Sequence, residues 1–454
     1  MNLASLLLDH PFADDEPLLY GTGRTWTTGE ARAEVARLAG ELARLGVPTG
    51  GGVAGRVAGG DAVIAMTACW AHGAVFVPVN DRLPEAGVAD LLDRTGVAAV
   101  VEPSGVVTAT GDARFEPGAA FVLFTSGTTG EPKPIVHHHD AYLEIIDRVL
   151  GPLAAGRDST KRPSPNLIPV PMALNAGIYN ALFGLRAGAP LVLMDRFSTG
   201  EFAELVHRHE IRSTVLPPAS IAMLNDDPTI EDVGPLRYVR SITAPLSPFQ
   251  ARRFAQRFGA FVLNGYGQAE LGEVIGWTAA DAKSHPEKIG AVGRPHPGVD
   301  VRIDSPDANG VGELLVRPPA APNASVAATL GDRLGSDGFV RTGDLARGDD
   351  DGFVWIEGRT GDLINRGGNK VFPDEVEEVL TAVAGVSEAA VVGRPDERLG
   401  EVPVAFVVGD VSADTLQAAC RAALVPYKVP VDVIAVDELP RNDAGKLLRR
   451  QLRA

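Results

Sequence analysis

Residues 125–133 read TSGTTGEPK and follow the apolar run FVLF at 121–124. A glycine-rich turn after a strand can aim several backbone N–H groups at one point and form an anion nest. Here Gly127 and Gly130 open the backbone, and Thr125, Ser126, Thr128 and Thr129 add hydroxyl donors. Lys133 adds a mobile point charge. The stretch suits a polyphosphate. It is not a Walker loop, because Glu-Pro-Lys follows Gly130 where that motif needs Lys-Ser/Thr. The plainer reading is a solvated hairpin turn.

Three further stretches carry chemistry. In NGYGQAE (264–270) two glycines open the backbone, Tyr266 can stack on a base and Glu270 can hold a hard cation. A dinucleotide fingerprint would need a third glycine that is absent. RTGD contributes Asp344 and GRTGD contributes Arg359. An aspartate can accept both hydroxyls of a ribose, and an arginine can bridge ribose and phosphate. PRNDAGKLLRR places Lys446 in a polar turn. Taken singly, each has a structural reading: a tyrosine in a tight turn, isolated turns, a solubilising lysine. The run His137, His138, His139 invites a metal reading, but neighbours on an extended segment point to opposite faces. No cysteine partner stands close in the sequence. His207 and His209 lack the i, i+4 helical spacing of a ligand pair.

The elements that must position these residues are legible in the pattern. TTGEARAEVARLAGELARLGV reads as a helix with a Thr27/Glu30 capping box and apolar positions at helical spacing. AVFVPV, VAAVV, FVLF, APLVLM, STVLP and AFVLN are strand candidates, with helical segments such as EFAELVHRHE and PFQARRFAQRFG among them. Alternation of this kind implies parallel α/β layers. After residue 290 short alternating strands and turn residues imply a small antiparallel unit. A compact αβ segment follows GFVWIEGRTGDLINRGGNK, with a domain boundary expected near Gly361.

Length and charge narrow the class. The 454 residues exceed one typical domain. A net charge of −16 argues against a broad nucleic-acid or anionic-membrane footprint. No apolar stretch approaches the ~20 residues of a membrane span. The N-terminal apolar run lacks the basic flank of a signal peptide. Two distant cysteines, Cys69 and Cys420, show no zinc spacing and fit a reduced, cytoplasmic setting.

Together and in order, TSGTTGEPK, YGQAE, TGD, GRTGDLINRGGNKVFPDEVE and PRNDAGK resemble the adenylate-forming superfamily. That superfamily holds acyl- and aryl-CoA synthetases, peptide-synthetase adenylation domains and beetle luciferases. The resemblance covers nearly the whole chain. It implies an α/β fold: a large N-terminal domain (1–360) of layered αβ subdomains plus a distorted β-barrel, and a small mobile α+β C-terminal domain (361–454).

The resemblance also implies roles. Thr125, Ser126, Gly127, Thr128, Thr129, Gly130 and Lys133 match the loop holding the β,γ-phosphates of ATP. Tyr266 matches the residue stacked on adenine, with Asn264, Gly265 and Gly267 beside it. Thr243, Ala244 and Pro245 face the other side of the base. Glu270 matches the Mg2+ ligand, Asp344 the ribose aspartate, Arg359 the arginine at ribose and phosphate, and Lys446 the catalytic lysine of adenylation. Asn175, Gly177, Thr243 and Gly267 flank the acid pocket. Gly361 occupies the hinge position, where aspartate or lysine is commoner. Gly367 and Gly368 fit the loop lining the pantetheine tunnel.

One departure stands beside the α-phosphate: relatives usually read YGxTE, and this chain has Ala269. Around the acid pocket, Ala173 and Leu174 replace an aromatic residue and a histidine. The expected reaction is activation of a small organic acid by ATP and transfer to a thiol, coenzyme A or the phosphopantetheine of a carrier protein. Its rivals are delivery to an amine, activation of an unusual oxyanion such as nitrite, luciferase-like oxygenation, and a degenerate non-catalytic nucleotide-binding protein. No carrier domain is expected within the chain, and no motif speaks to oligomeric state.

Overall fold

A computed structural model describes residues 1–80, 83–126, 132–154, 162–242, 246–441 and 447–452. Two large sheets carry the N-terminal part. The first has six strands in the order Gly105–Thr108, Ala99–Glu102, Gly52–Gly55, Val75–Pro78, Ala119–Ser126, Pro132–His138. Its central pairs are parallel and its outer pairs antiparallel. The second has seven strands, Phe261–Asn264, Tyr238–Ser241, Ser213–Leu216, Asn166–Ile168, Leu191–Leu193, Pro17–Gly21 and Arg24–Thr27, all parallel except the last pair. Parallel strands are covered on both faces, which is why they appear in the sequence as short continuous apolar runs.

Helices supply that cover. Helix Thr28–Arg44 starts at a capping box in which Thr27 and Glu30 satisfy each other's backbone N–H groups. It buries Ala31, Val35, Leu38 and Leu42. Helix Gly59–His72 is apolar almost all round and lies in the main core, where Trp70 donates its indole N–H to the Ala120 carbonyl at 2.6 Å. Helix Pro248–Phe258 begins with Ser247 as cap and proline in its first turn, the place where a missing N–H costs nothing.

The antiparallel unit expected after residue 290 starts earlier. Tyr266–Gln268, Gly272–Gly276 and Arg294–Pro295 form a three-stranded sheet. Asp300–Asp304, Gly312–Arg317, Val340–Gly348 and Val354–Arg359 form a four-stranded one. The distorted barrel takes the form of these two sheets, and no closed barrel forms among the described residues. They meet over a shared apolar cluster that includes Leu271, Val274, Leu314 and Val340. An isolated bridge between Gly293 and Val354 ties them, in place of a continuous ladder.

From Ile364 the chain builds a separate five-stranded sheet, flanked by helices Pro373–Thr381 and Ala413–Ala423. Two apolar clusters draw only on residues from this part of the chain, while Phe372 packs with Val311 and Leu345 of the preceding part. The large N-terminal and small C-terminal domains are thus both present. In parallel sheets, ligands gather at the carboxyl ends of the strands. Here those ends are Ser126, Ile168, Leu216, Ser241 and Asn264, and the motif loops begin at three of them.

Candidate active site

Asp344 is the hub. It lies on Val340–Gly348, directly opposite Arg359 on the next strand, and is 4% exposed. Arg359 donates Nε to its Oδ1 at 2.9 Å. Tyr266 donates its hydroxyl to Oδ2 at 2.5 Å, and Gln268 Nε2 reaches the same oxygen at 3.1 Å. Gln268 also donates to the Thr342 carbonyl at 2.9 Å. An ionised carboxylate has about four acceptor positions and three are taken here, so room remains for one ribose hydroxyl. Burial and the Asp344 charge push the Tyr266 phenol well above its usual pKa, so it stays a neutral donor. Three motif residues far apart in sequence are therefore brought into one bonded set.

The strand carrying Tyr266 is pressed against Gly272–Gly276. A Cβ on Gly267 would come within 2.2 Å of the Gly272 carbonyl oxygen and 2.8 Å of the Glu273 Cα. Close strand approach, by itself, requires glycine there. Gly177 is similar: its Cβ would meet the Pro171 carbonyl oxygen at 2.2 Å, where the helix Asn175–Arg186 packs on the turn before it. Ala269 is partly buried against the apolar cluster of Leu271 and Val274.

Glu270 has one cationic neighbour in this set. Arg333 approaches its Oε1 at 3.4 Å and also donates to Gln268. Among the described residues no group of three or more His, Cys, Asp or Glu gathers as a metal site. A lone, largely buried carboxylate fits Mg2+, which keeps its waters and takes one or two carboxylates plus substrate phosphates.

Asn175, expected at the acid pocket, accepts the Tyr142 hydroxyl at 2.7 Å. One helical turn further, Tyr179 stands near Arg240, which pairs with Glu273. His296 Nε2 lies 3.1 Å from the other Glu273 oxygen. Burial would raise the Glu273 carboxyl, but Arg240 and His296 outweigh it and hold the group below its ordinary range.

The comparison with known proteins agrees with this geometry. The model of the AMP-binding enzyme family matches residues 10–116 and 109–322, and the model of its C-terminal domain matches 375–446. The chain belongs to the AMP-binding enzyme family. This places it in the adenylate-forming superfamily, as an AMP-forming ligase of the acyl-CoA synthetase kind. A long-chain-fatty-acid–CoA ligase of Mycobacterium tuberculosis is 29% identical over 435 residues, covering 84% of this chain and 83% of that one. The amide bond synthetase McbA of Marinactinospora thermotolerans superposes with a TM-score of 0.82 at 28% identity, covering 99% and 98% of the two chains. The o-succinylbenzoate CoA synthetase of Bacillus subtilis, solved with its acyl-adenylate intermediate, gives 0.85 at 25% identity, covering 100% and 98%.

Not every expected residue of the AMP-binding enzyme is placed. Gly127, Thr128, Thr129, Gly130, Thr243, Ala244, Pro245 and Lys446 lie outside the described residues. The strands that launch the phosphate loop are placed: Thr125 pairs with Lys133 and Ser126 with Pro132 across an antiparallel ladder. Asn264 ends its strand, and Gly265 donates its N–H to the Ser241 carbonyl at 2.9 Å. Gly361 has open space around it, and Gly367 and Gly368 adopt φ of +57° and +85°, which glycine takes without strain.

The histidines behave as separate residues. His137 is buried against Phe121 and Tyr142, His138 pairs with Glu116 at 2.8 Å, and His139 meets the edge of Trp70. The Glu116 partner is distant in sequence and was not visible there. Sequence reading also left out Gln268, Arg333, Tyr179, Arg240, Glu273 and His296. Gln268 sits inside a recognised motif. The others carry no local signal, because only the packing of separate strands, a helix and a short turn makes them neighbours.

Proposed function

We propose that this enzyme joins a small organic acid to ATP, forming an acyl adenylate and pyrophosphate, and then transfers the acyl group to a thiol. Coenzyme A is the first candidate acceptor. The observation that carries the reading is the convergence of Tyr266, Gln268 and Arg359 on the buried carboxylate of Asp344. A buried carboxylate with a fixed aromatic and a fixed guanidinium beside it is a preorganised holder for a nucleoside.

The acid is already ionised at neutral pH, so no general base is needed. Its oxygen attacks the α-phosphorus and the bond to pyrophosphate breaks. Charge builds on the α-phosphate and the leaving group. Arg359 would meet the first, and the phosphate loop with Lys133 the second. Lys446 would bridge the acid oxygen and the α-phosphate. Glu270 would hold Mg2+, which when bound would supply positive charge at the phosphates. In the second step a thiol attacks the mixed anhydride and AMP leaves.

The domains meet at Gly361 in this reading, with 1–360 binding the nucleotide and 361–454 turning between the two steps. Gly367 and Gly368 would line the path of the pantetheine arm. Both buried cysteines are free, which accords with a reducing, cytoplasmic site. The likeness to an amide bond synthetase supports a second reading, in which an amine takes the thiol's place after the same adenylate. Delivery to a carrier protein uses the same thiol chemistry.

The test is acid-dependent exchange of labelled pyrophosphate into ATP, followed by addition of coenzyme A or an amine. Exchange with product formed only on thiol addition is expected. Lys446→Ala should cut exchange by a few orders of magnitude and spare thioester formation from supplied adenylate. Equal loss of both steps would contradict the role given to Lys446.

A further inference from the structure

The site holds a polar set that the nucleotide does not use. Arg240 precedes the carboxyl end of strand Tyr238–Ser241, and its side chain is 18% exposed. By strand alternation it shares a face with Ile242, which packs on the main core where helix Asn175–Arg186 lies. Arg240 therefore sits about 7 Å below the edge from which the site loops spring. Tyr179 lies one turn, about 6 Å, below Asn175 on the facing helix. The two levels coincide. The Arg240 guanidinium also lies over the Phe183 ring, 5.7 Å from its centroid.

Two facts about this level point to a ligand. The Tyr179 hydroxyl is buried with the Arg240 guanidinium as its nearest donor, and among the described residues its own proton has no acceptor. A buried hydroxyl proton without an acceptor is uncommon in a native protein and calls for an explanation. The second fact is location. Glu273 is the cross-strand partner of Gly267, and a Cβ on Gly265 would stand 3.4 Å from its carboxylate. The ion pair thus backs directly onto the strand that carries Tyr266. A long apolar tail running past Asn175 would meet a buried ion pair.

The charges decide which polar group fits. Arg240 and Glu273 cancel, His296 is engaged with Glu273, and the nearby Arg148 is matched by Glu144. A second carboxylate would arrive without a free cation to pair it. An uncharged oxygen would not face that penalty. It could accept from the Tyr179 hydroxyl and from guanidinium N–H groups not used by Glu273.

From these observations we infer that the acid activated here is short and carries an uncharged hydrogen-bonding group, a carbonyl, hydroxyl or amide, at its far end, received by Tyr179 with Arg240. Tyr179 and Arg240 are thus specificity-determining residues. The inference rests on the adenylation reading given above.

Three five-carbon acids of near-equal size separate the possibilities: valerate, levulinate with its distal ketone, and glutarate with a second carboxylate. A second pair, phenylpropanoate and its para-hydroxy analogue, covers aryl acids. Pyrophosphate exchange with the full chain should favour levulinate or the hydroxyaryl acid over its apolar counterpart by at least about tenfold in kcat/KM. Tyr179→Phe removes one oxygen and keeps the ring. It should shrink that preference about tenfold by raising KM for the polar acid, with the apolar acid and the KM for ATP unchanged. Arg240 is left intact, because removing it would strand Glu273. Faster exchange with valerate or phenylpropanoate, or preference for glutarate, would overturn the assignment and leave adenylation standing. So would an unchanged preference in Tyr179→Phe. Absence of exchange with every acid would overturn the adenylation reading and this inference with it.

Discussion

At the residue scale, Asp344 should matter most for nucleotide binding. Asp344→Asn keeps the shape but loses the charge that Arg359, Tyr266 and Gln268 address. Charge-assisted hydrogen bonds contribute about 1.5–3 kcal/mol, so KM for ATP should rise roughly 10- to 100-fold. Steady-state kinetics at fixed acid would show it. Ala269→Thr is a milder change: restoring the hydroxyl should leave the KM for ATP alone and speed adenylation by up to about tenfold, or ~1.4 kcal/mol. A loss of activity would mean that the site needs the space. His137 supplies a pH prediction. Burial holds its ring down to about 4 from the ordinary 6.5. Between those values the unfolded chain binds more protons than the native one. Stability is therefore full above about pH 6.5 and falls as pH drops towards 4. At pH 5 the His137 contribution lost is about 2 kcal/mol. His137→Phe, with an aromatic already stacked on Phe121, should narrow the gap between urea midpoints at pH 7.5 and pH 5. An unchanged gap would assign the acid sensitivity elsewhere, for example to His10 and His139, whose pKa values are also lowered to about 4.

At the element scale, the proposed reading makes Gly361 and the C-terminal segment the moving parts. A Cβ at Gly361 meets nothing within 4 Å. Gly361→Ala should then be nearly silent, whereas Gly361→Pro fixes φ and should impair one half-reaction far more than the other. Equal, wild-type rates in both steps would remove Gly361 as the hinge. Arg449, three residues past Lys446, ties the segment down: it meets Asp374 at 2.9 Å and Glu377 at 3.0 Å, with Asp362 at 3.6 Å. Arg449→Met should slow adenylation more than transfer from supplied adenylate, as the mount for Lys446 loosens. Legibility follows from the range of the interactions involved. The Thr27–Glu30 cap and the proline-led helices were readable because their partners lie within one turn. The antiparallel unit was placed too late, because Tyr266–Gln268 is a three-residue strand inside a motif read for its chemistry. Tyr266, Asp344 and Arg359 were readable as motif members, but not as one bonded set. Arg240, Glu273 and His296 were unreadable, since only the pairing of separate strands makes them neighbours.

At the scale of the whole molecule, motif loops spring from the carboxyl ends of two parallel sheets, and in the proposed reading the second domain completes the site. That arrangement is suited to a nucleotide held by one body and chemistry completed by another. The central claim is that acid and ATP pass through an acyl adenylate. Its most direct test follows the acid's own oxygen. When a substrate acid labelled with heavy oxygen in its carboxylate is turned over with ATP and coenzyme A, one labelled oxygen should appear in AMP for each thioester made. Label should be absent from pyrophosphate. Unlabelled AMP, or ADP and phosphate as the products, would contradict the account.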